Sequence, residues 1–261
     1  MARATPVRPL LDERLTEMLA LMEGADSVEL KLTVPESSQR SAVRALGMDP
    51  LDAQIRQVFF FDTPDLALDQ AGVVARARRV QGRGADTVIK LRPVVPSELP
   101  AELRVSPNFG VEVDAMPGGF VCSGSLKAAD RLPDRGVVPA GGERPLRKIF
   151  TKEQRALFDE HAPEGVALSD LVVLGPIPVM KLKMMKHMGR KLVAELWFYP
   201  DGSRILELST KCAPAEALQV AAEGKAYLSE LGIDLSGRQQ TKTRTALNFF
   251  SKEAKAAAAA A

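Results

Sequence analysis

The stretch SVELKLTV, residues 27–34, alternates strictly between polar and apolar side chains. Successive side chains of a β-strand point to opposite faces, so the pattern predicts a strand with one apolar face. Glu29 and Lys31 share the other face with Ser27 and Thr33. This polar face either meets solvent, as in an ordinary half-buried strand, or lines an enclosed space.

The same arrangement recurs along the chain, because many predicted strands carry ionisable residues an even number of positions apart. The further pairs are Arg76 and Arg78, Lys90 and Arg92, Glu112 and Asp114, Lys181 and Lys183, and Glu207 and Lys211. Antiparallel sheets often have a solvated, charged face, which is the simpler interpretation of any single strand. Neighbouring strands with like charges repel, however, so several basic strands together favour a bound anion. The acidic strand offers oxygen ligands suited to Mg²⁺ or Mn²⁺.

These segments predict an α+β fold, a closed antiparallel β-barrel of about eight strands with flanking helices. A barrel of this size has room inside for one small ligand. A polyphosphate with a divalent metal ion would satisfy the basic and the acidic strands together. The charged faces are therefore predicted to line a tunnel.

Composition excludes several other classes of protein. The net charge of the 261 residues is only +2, which argues against a nucleic-acid binder that works by bulk charge. Two cysteines and two histidines at unrelated spacings do not fit a zinc site or a serine–histidine triad. The N-terminal residues lack the apolar core of a signal peptide, and no apolar run is long enough to span a membrane. We expect a cytoplasmic protein without membrane or sequence-specific nucleic-acid partners.

The domain organisation is predicted from helical periodicity and from glycine and proline content. Residues 1–26 contain an N-terminal helix, and 27–250 form a single barrel domain. A Gly/Pro-rich insertion is placed at about 117–165, mostly loop up to residue 147, with helical segments. Residues 251–261 form an alanine-rich tail, either a frayed helix or disordered.

An ordered series of motifs resembles the CYTH superfamily, the triphosphate tunnel metalloenzymes. The longest block is FFFDTPDLALDQAGVVARARR, residues 59–79. The others are SVELKL, TVIKLR, GVEVD, VMKLKM, LELSTK and the C-terminal QQTKTRTALNF. The resemblance spans about residues 27–250 and implies a tunnel of antiparallel strands with charged side chains inside.

The resemblance also implies activities and residue roles. Family members include triphosphatases, acting on tripolyphosphate, thiamine triphosphate or RNA ends, and a class of adenylyl cyclases. By resemblance, Glu29 and Lys31 are catalytic, and four carboxylates hold Mg²⁺ or Mn²⁺: Glu29, Glu112, Asp114 and Glu207. The implied phosphate-binding residues are Lys31, Arg76, Arg78, Lys90, Arg92, Lys181, Lys183, Lys211 and Lys242.

Two positions depart from the family pattern, since Ser27 and Ser209 stand where carboxylates are expected. A neutral hydroxyl is a poorer ligand for a hard cation than a carboxylate. The leading hypothesis is a metal-dependent phosphohydrolase acting on a triphosphate or polyphosphate. The alternatives are a catalytically weakened polyphosphate- or nucleotide-binding module and an adenylyl cyclase that converts ATP to cyclic AMP.

Overall fold

A computed structural model describes residues 8–129, 146–184, 189–235, 237, 239 and 241–260. The described strands are β1 (Ser27–Val34), β2 (Gln54–Asp62), β3 (Val73–Val80), β4 (Ala85–Leu91), β5 (Phe109–Met116), β6 (Gly119–Ala129), β7 (Val172–Met184), β8 (Leu192–Phe198) and β9 (Arg204–Cys212). The helices are α1 (Arg8–Glu23), α2 (Gln39–Ala45), α3 (Ala67–Gln70), α4 (Ala101–Arg104), α5 (Lys152–His161), α6 (Ala217–Glu230) and α7 (Lys242–Ala260).

The nine described strands close into one barrel in the order β1-β5-β6-β4-β3-β2-β7-β8-β9, and β9 pairs back with β1. The predicted α+β fold with a closed barrel is confirmed. Its strand number is nine rather than about eight, and the sheet is mixed, because β1 and β5 run parallel. A parallel pair needs a long connection, which β2, β3 and β4 provide between them.

The ninth strand, β6, lies where the sequence predicts loop, and that prediction is wrong for residues 119–129. Its glycines and serines are typical of a loop, yet it pairs with both β4 and β5. The glycine content has a packing reason at Gly124, where an added Cβ would lie 2.5 Å from Cζ of Phe109. A buried ring therefore occupies the space that a side chain would need. Residues 130–145 of the predicted insertion lie outside the described residues.

The barrel carries its apolar side chains mainly on the outside, beneath helices. Phe59, Phe61, Ile89 and Val111 pack in one cluster with residues of α5 such as Phe158. A second outer cluster joins the apolar face of β1 and β9 to α2 and α6. Burying this outer surface favours folding by the hydrophobic effect. Because the apolar faces of these strands are covered from outside by helices, their polar faces are left to line the interior of the barrel.

The C-terminal helix α7 packs against apolar residues of β2, β7 and β8. Its Ala246, Leu247 and Phe250 form a third cluster with Phe60 and Trp197. The helix crosses the predicted boundary at residue 250 and continues to Ala260. The alanine-rich segment is therefore helical as far as Ala260. The division into an N-terminal helix, one barrel domain and a tail stays a prediction. No helix within the described ranges is both long and apolar enough to cross a membrane.

Candidate functional site

The barrel encloses a cavity of about 960 Å³. Among the described residues, its lining includes eleven basic and six acidic side chains, an excess of five positive charges. The whole chain carries only +2. Positive charge is therefore concentrated at the cavity, which favours binding of an anion there.

Three carboxylates converge on one side of this cavity. Glu29 comes from β1, and Glu112 and Asp114 come from the adjacent β5, which pairs with β1 in parallel register. One oxygen of each carboxylate lies within 4.8 Å of the others. Hard divalent cations prefer such oxygen ligands, so the three side chains fit a Mg²⁺ or Mn²⁺ site. We call them the carboxylate cluster.

Basic side chains surround the buried member of this cluster, Asp114. Lys31 Nζ lies 2.7 Å from Asp114 Oδ1, and it also lies 3.0 Å from Glu29. On the other side of the carboxylate, Arg92 and Lys90 lie 3.1 and 3.6 Å from Oδ2. Burial alone would raise the pKa of Asp114, but the three cations outweigh it and lower that pKa to about 2. Asp114 is therefore ionised at neutral pH.

Burial, together with neighbouring positive charge, lowers the pKa values of two cations on the wall formed by β3 and β4. Burial lowers the pKa of Arg76 to about 10, with a further contribution from the neighbouring Arg78. The pKa of Lys90 falls to about 8, because burial and the charges of Lys31 and Arg92 outweigh the attraction of Asp114. A bound anion would relieve this repulsion.

Local structure explains how Arg92 reaches the cavity. Gly72 has φ of +75°, a left-handed conformation that suits glycine. An added Cβ there would lie only 2.6 Å from the carbonyl oxygen of Arg92. The Arg92 N–H donates to the Gly72 carbonyl over 2.7 Å. The glycine therefore permits the close backbone contact that orients the last basic residue of this wall.

The turn before α3 is held by Asp62 of the FDT motif. Its carboxylate accepts hydrogen bonds from the backbone N–H groups of Thr63, Leu68 and Asp69, at 2.7–3.0 Å. Asp69 follows this turn and lines the cavity. The most specific motif of the sequence thus includes a carboxylate that shapes the chain rather than one that faces a ligand.

A second group of ionised residues joins β7, β8 and β9 to the start of α7. Lys242 Nζ is 2.6 Å from Glu195 and 2.7 Å from Glu207, and Glu195 also contacts Lys181 at 2.9 Å. Burial would raise the pKa of Glu195, but Lys242 and Lys181 lower it well below its usual value. Trp197 donates from its indole N–H to Glu195. We call Glu195, Glu207 and their two lysines the paired cluster.

Most of the predicted site residues come together around the cavity. Those that line it are Glu29, Lys31, Arg76, Arg78, Lys90, Arg92, Glu112, Asp114, Lys181, Lys211 and Lys242. Lys211 contacts Glu112 and is half exposed. Two predicted residues are placed differently. Lys183 is exposed and does not line the cavity, and the buried Glu207 contacts Lys242 instead of joining the carboxylate cluster.

Both serines that depart from the family pattern are buried near the carboxylate cluster. Ser27 Oγ lies 3.4 Å from Glu112, and Ser209 lies opposite Lys31 in the register of β1 and β9. The preceding Asp26 faces away, since it accepts from the backbone N–H of Val111 and contacts Arg104. The serines therefore occupy the positions that the strand register predicts for them.

The sequence analysis missed several residues of the cavity lining, among them Arg56, Asp86, Glu195 and Trp197. Each of these four lies an even number of positions from other inward-facing residues of its strand. Alternation alone could therefore have identified them. Arg56 precedes Val58 and Phe60 on the same face of β2. Asp86 lies four residues before Lys90 on β4. Arg56 and Glu195 do not form an ionisable pair on their strands, so the search for such pairs did not find them. Asp86 was missed because it is an acid on a strand whose other charged residue, Lys90, is basic.

Comparison with solved structures finds proteins with the same fold. A candidate adenylyl cyclase from Hippeastrum, described as having a dominant triphosphatase activity, is 20% identical with a TM-score of 0.56. The alignment covers 81% of this chain and 91% of that one. A candidate adenylate cyclase from Bacillus halodurans is 14% identical with a TM-score of 0.50, covering 84% and 97%.

These similarities confirm, at the level of the fold, the resemblance found in the sequence. No protein-family profile matches the chain. No curated protein sequence matches it significantly either. The chemistry of the site therefore has to be argued from its own residues.

Proposed function

We propose that the protein is a metal-dependent phosphohydrolase that cleaves a terminal phosphoanhydride of a triphosphate or polyphosphate bound inside the barrel. The observation that carries this proposal is the pairing, within one cavity, of three converging carboxylates with a large excess of basic side chains. Carboxylates suit a hard cation, and the basic residues suit the oxygens of a phosphate chain.

The carboxylate cluster would hold Mg²⁺ or Mn²⁺ through Glu29, Glu112 and Asp114. When bound, such an ion supplies Lewis acidity to phosphate oxygens and neutralises developing charge. The protein's own contribution is charge and alignment. Lys31, which lies between two of the carboxylates, and Lys90 are placed to bind the phosphate nearest the cluster.

Other residues of the cavity are suited to act on the attacking water and on the leaving phosphate. Glu29 faces the cavity beside Lys31 and is suited to orient the attacking water. Arg76 and Arg78 are suited to stabilise charge on the leaving phosphate, because guanidinium groups bind phosphate oxygens through two donors. Preorganised cations of this kind supply much of the catalysis in phosphoryl transfer.

The direct test is phosphate release from tripolyphosphate, nucleoside triphosphates and thiamine triphosphate, with Mg²⁺ or Mn²⁺ in turn. We expect turnover of at least one substrate, lost when EDTA removes the metal and restored by adding it back. The exposed-surface variant Asp159→Asn is the control and should keep full activity. Absence of turnover on every substrate in folded protein would refute the proposal. Cyclic AMP measured in the ATP reaction distinguishes cyclisation from hydrolysis.

A second candidate function is a polyphosphate-binding module with weakened catalysis. It is favoured by one observation, the burial of Ser27 and Ser209 next to the carboxylate cluster, where carboxylates would strengthen metal binding. This candidate expects polyphosphate to bind without metal and turnover to be slow. Isothermal titration in EDTA, compared with the turnover assay, separates the two functions.

A further inference from the structure

Ser123, on β6, carries a buried hydroxyl that has no hydrogen-bond partner among the described residues. The residue is completely shielded from solvent, with 0% of its surface exposed. Within the described ranges, its Oγ neither donates a hydrogen bond nor accepts one. Buried polar groups are normally paired, and leaving one unpaired costs free energy. An unpaired hydroxyl of this kind therefore indicates that a partner reaches it in another state of the protein.

The pairing of β6 with β5 places this hydroxyl beside the carboxylate cluster. Ser123 lies directly opposite Glu112 in the register of the two strands. Directly opposite side chains of an antiparallel pair share a face, and their Cβ atoms are about 4.5–5.5 Å apart. Val121 and Ser125, two positions to either side on β6, line the cavity, so Ser123 faces the same way. The unpaired hydroxyl is thus a direct neighbour of one of the three carboxylates.

The contacts of Glu112 show which way its carboxylate points. Its Oε2 accepts from Lys211 on β9, and it lies 3.4 Å from Ser27 Oγ on β1. In the barrel, β1 and β9 lie on one side of β5, and β6 lies on the other side. Glu112 is therefore bound from the side of β1, while the donor on the side of β6 is unused.

We propose that Ser123 is a positioning residue that donates a hydrogen bond to Glu112 when this carboxylate binds a metal ion. The inference rests on the proposed function, because it assumes that the carboxylate cluster holds Mg²⁺ or Mn²⁺. The lysine that now contacts Glu112, Lys211, is half exposed, and its positive charge competes with a metal ion for the same carboxylate. When the ion replaces that lysine, the Ser123 hydroxyl holds the carboxylate from the side of β6. Hydrogen bonds of this kind orient metal ligands and strengthen metal binding.

The test is the Mn²⁺ affinity of Ser123→Ala, measured by isothermal titration without substrate. Removing the donor should weaken Mn²⁺ binding roughly tenfold, as is typical of residues that orient metal ligands. In EDTA, the thermal unfolding midpoint of this variant should not fall, because the change removes a buried polar group that has no partner. A hydroxyl that served only to stabilise the fold would give the reverse, a lower midpoint with unchanged Mn²⁺ affinity.

The matched control is Ser251→Ala, in α7. Ser251 is also buried, but its Oγ donates to the carbonyl oxygen of Pro64 over 2.7 Å. Its replacement should lower the unfolding midpoint in EDTA, since a hydrogen bond is lost, and should leave the Mn²⁺ affinity unchanged. The two serines are thus expected to give opposite results in the two measurements.

Three outcomes would count against the inference. Equal Mn²⁺ affinity of Ser123→Ala and the wild type would overturn it while leaving the proposed function intact. A lower unfolding midpoint of Ser123→Ala in EDTA would also overturn it, because the hydroxyl would then stabilise the fold itself. Failure of the wild-type protein to bind Mn²⁺ would overturn the proposed function together with this inference.

Discussion

The carboxylate cluster and the paired cluster use the same residue types within one barrel, but they are arranged differently. In the paired cluster, Lys242 lies between Glu195 and Glu207, and Lys181 contacts Glu195 again. Two carboxylates thus meet two lysines. In the carboxylate cluster, three carboxylates converge, and two of them are about one-quarter exposed.

Inward-facing glutamates in one barrel can therefore have different roles. Where one lysine bridges two carboxylates, as Lys242 bridges Glu195 and Glu207, the contacts hold strands and α7 together. Where oxygens of three carboxylates lie within 4.8 Å of one another, the group can accept a divalent cation in place of lysine contacts such as those of Lys31.

The largest effect is expected on stability, from Lys242→Met. This change leaves Glu195 and Glu207 buried without the cation between them, and breaking a buried ion pair costs about 3–5 kcal/mol. Urea denaturation should show this loss in the free energy of unfolding. The control Lys211→Met removes a half-exposed lysine and should cost less than about 1 kcal/mol. Equal losses in the two variants would contradict the structural role of the paired cluster.

A smaller effect, on metal binding, is expected from Asp114→Asn. The amide keeps the shape of the side chain but removes the charge that would hold the metal ion, so Mn²⁺ affinity and the metal-dependent rate should each fall by roughly a hundredfold. Glu207→Gln is the matched comparison from the paired cluster, and its Mn²⁺ affinity should change by less than about threefold. If Glu207→Gln weakened Mn²⁺ binding as much as Asp114→Asn, the sequence-based assignment of Glu207 as a ligand would be correct.

A moderate gain is expected from Ser27→Glu. Ser27 contacts Glu112 and shares the inward face of Glu29, so a fourth carboxylate would add negative charge next to the cluster. Mn²⁺ should bind about tenfold tighter, an electrostatic gain of about 1.4 kcal/mol. Ser41→Glu, on the exposed surface of α2, should leave the affinity unchanged. Weaker Mn²⁺ binding in Ser27→Glu would show that the site has no room for another ligand.

The smallest effect is expected from Lys183→Ala. This lysine is exposed and lies outside the cavity lining, so it can act only through screened, long-range attraction. KM for tripolyphosphate should rise by less than about threefold at physiological salt. A rise as large as that of Lys90→Ala, which removes a cavity-lining cation, would place Lys183 in direct contact with substrate after all.

The sequence predicted much of this arrangement, and the reason is physical. In a strand the side-chain period is two, so each pair such as Arg76 and Arg78 necessarily shares a face. The alternation of ionisable residues identified six of the strands and ten of the described residues that line the cavity, and the family resemblance added Lys242. Alternation failed at β6, where small residues typical of a loop are needed because Phe109 packs against Gly124.

The sequence was enough to predict every strand except β6 and the charge on one face of six of them. Which strands become neighbours follows from closure of the barrel, which joins residues far apart in the chain. The parallel pairing of β1 with β5 brings Glu29 to Asp114, and the pairing of β8 with β9, followed by α7, brings Glu195 and Glu207 to Lys242. Alternation along one strand carries no information about its partner, so the two roles of these carboxylates emerge only after the barrel closes.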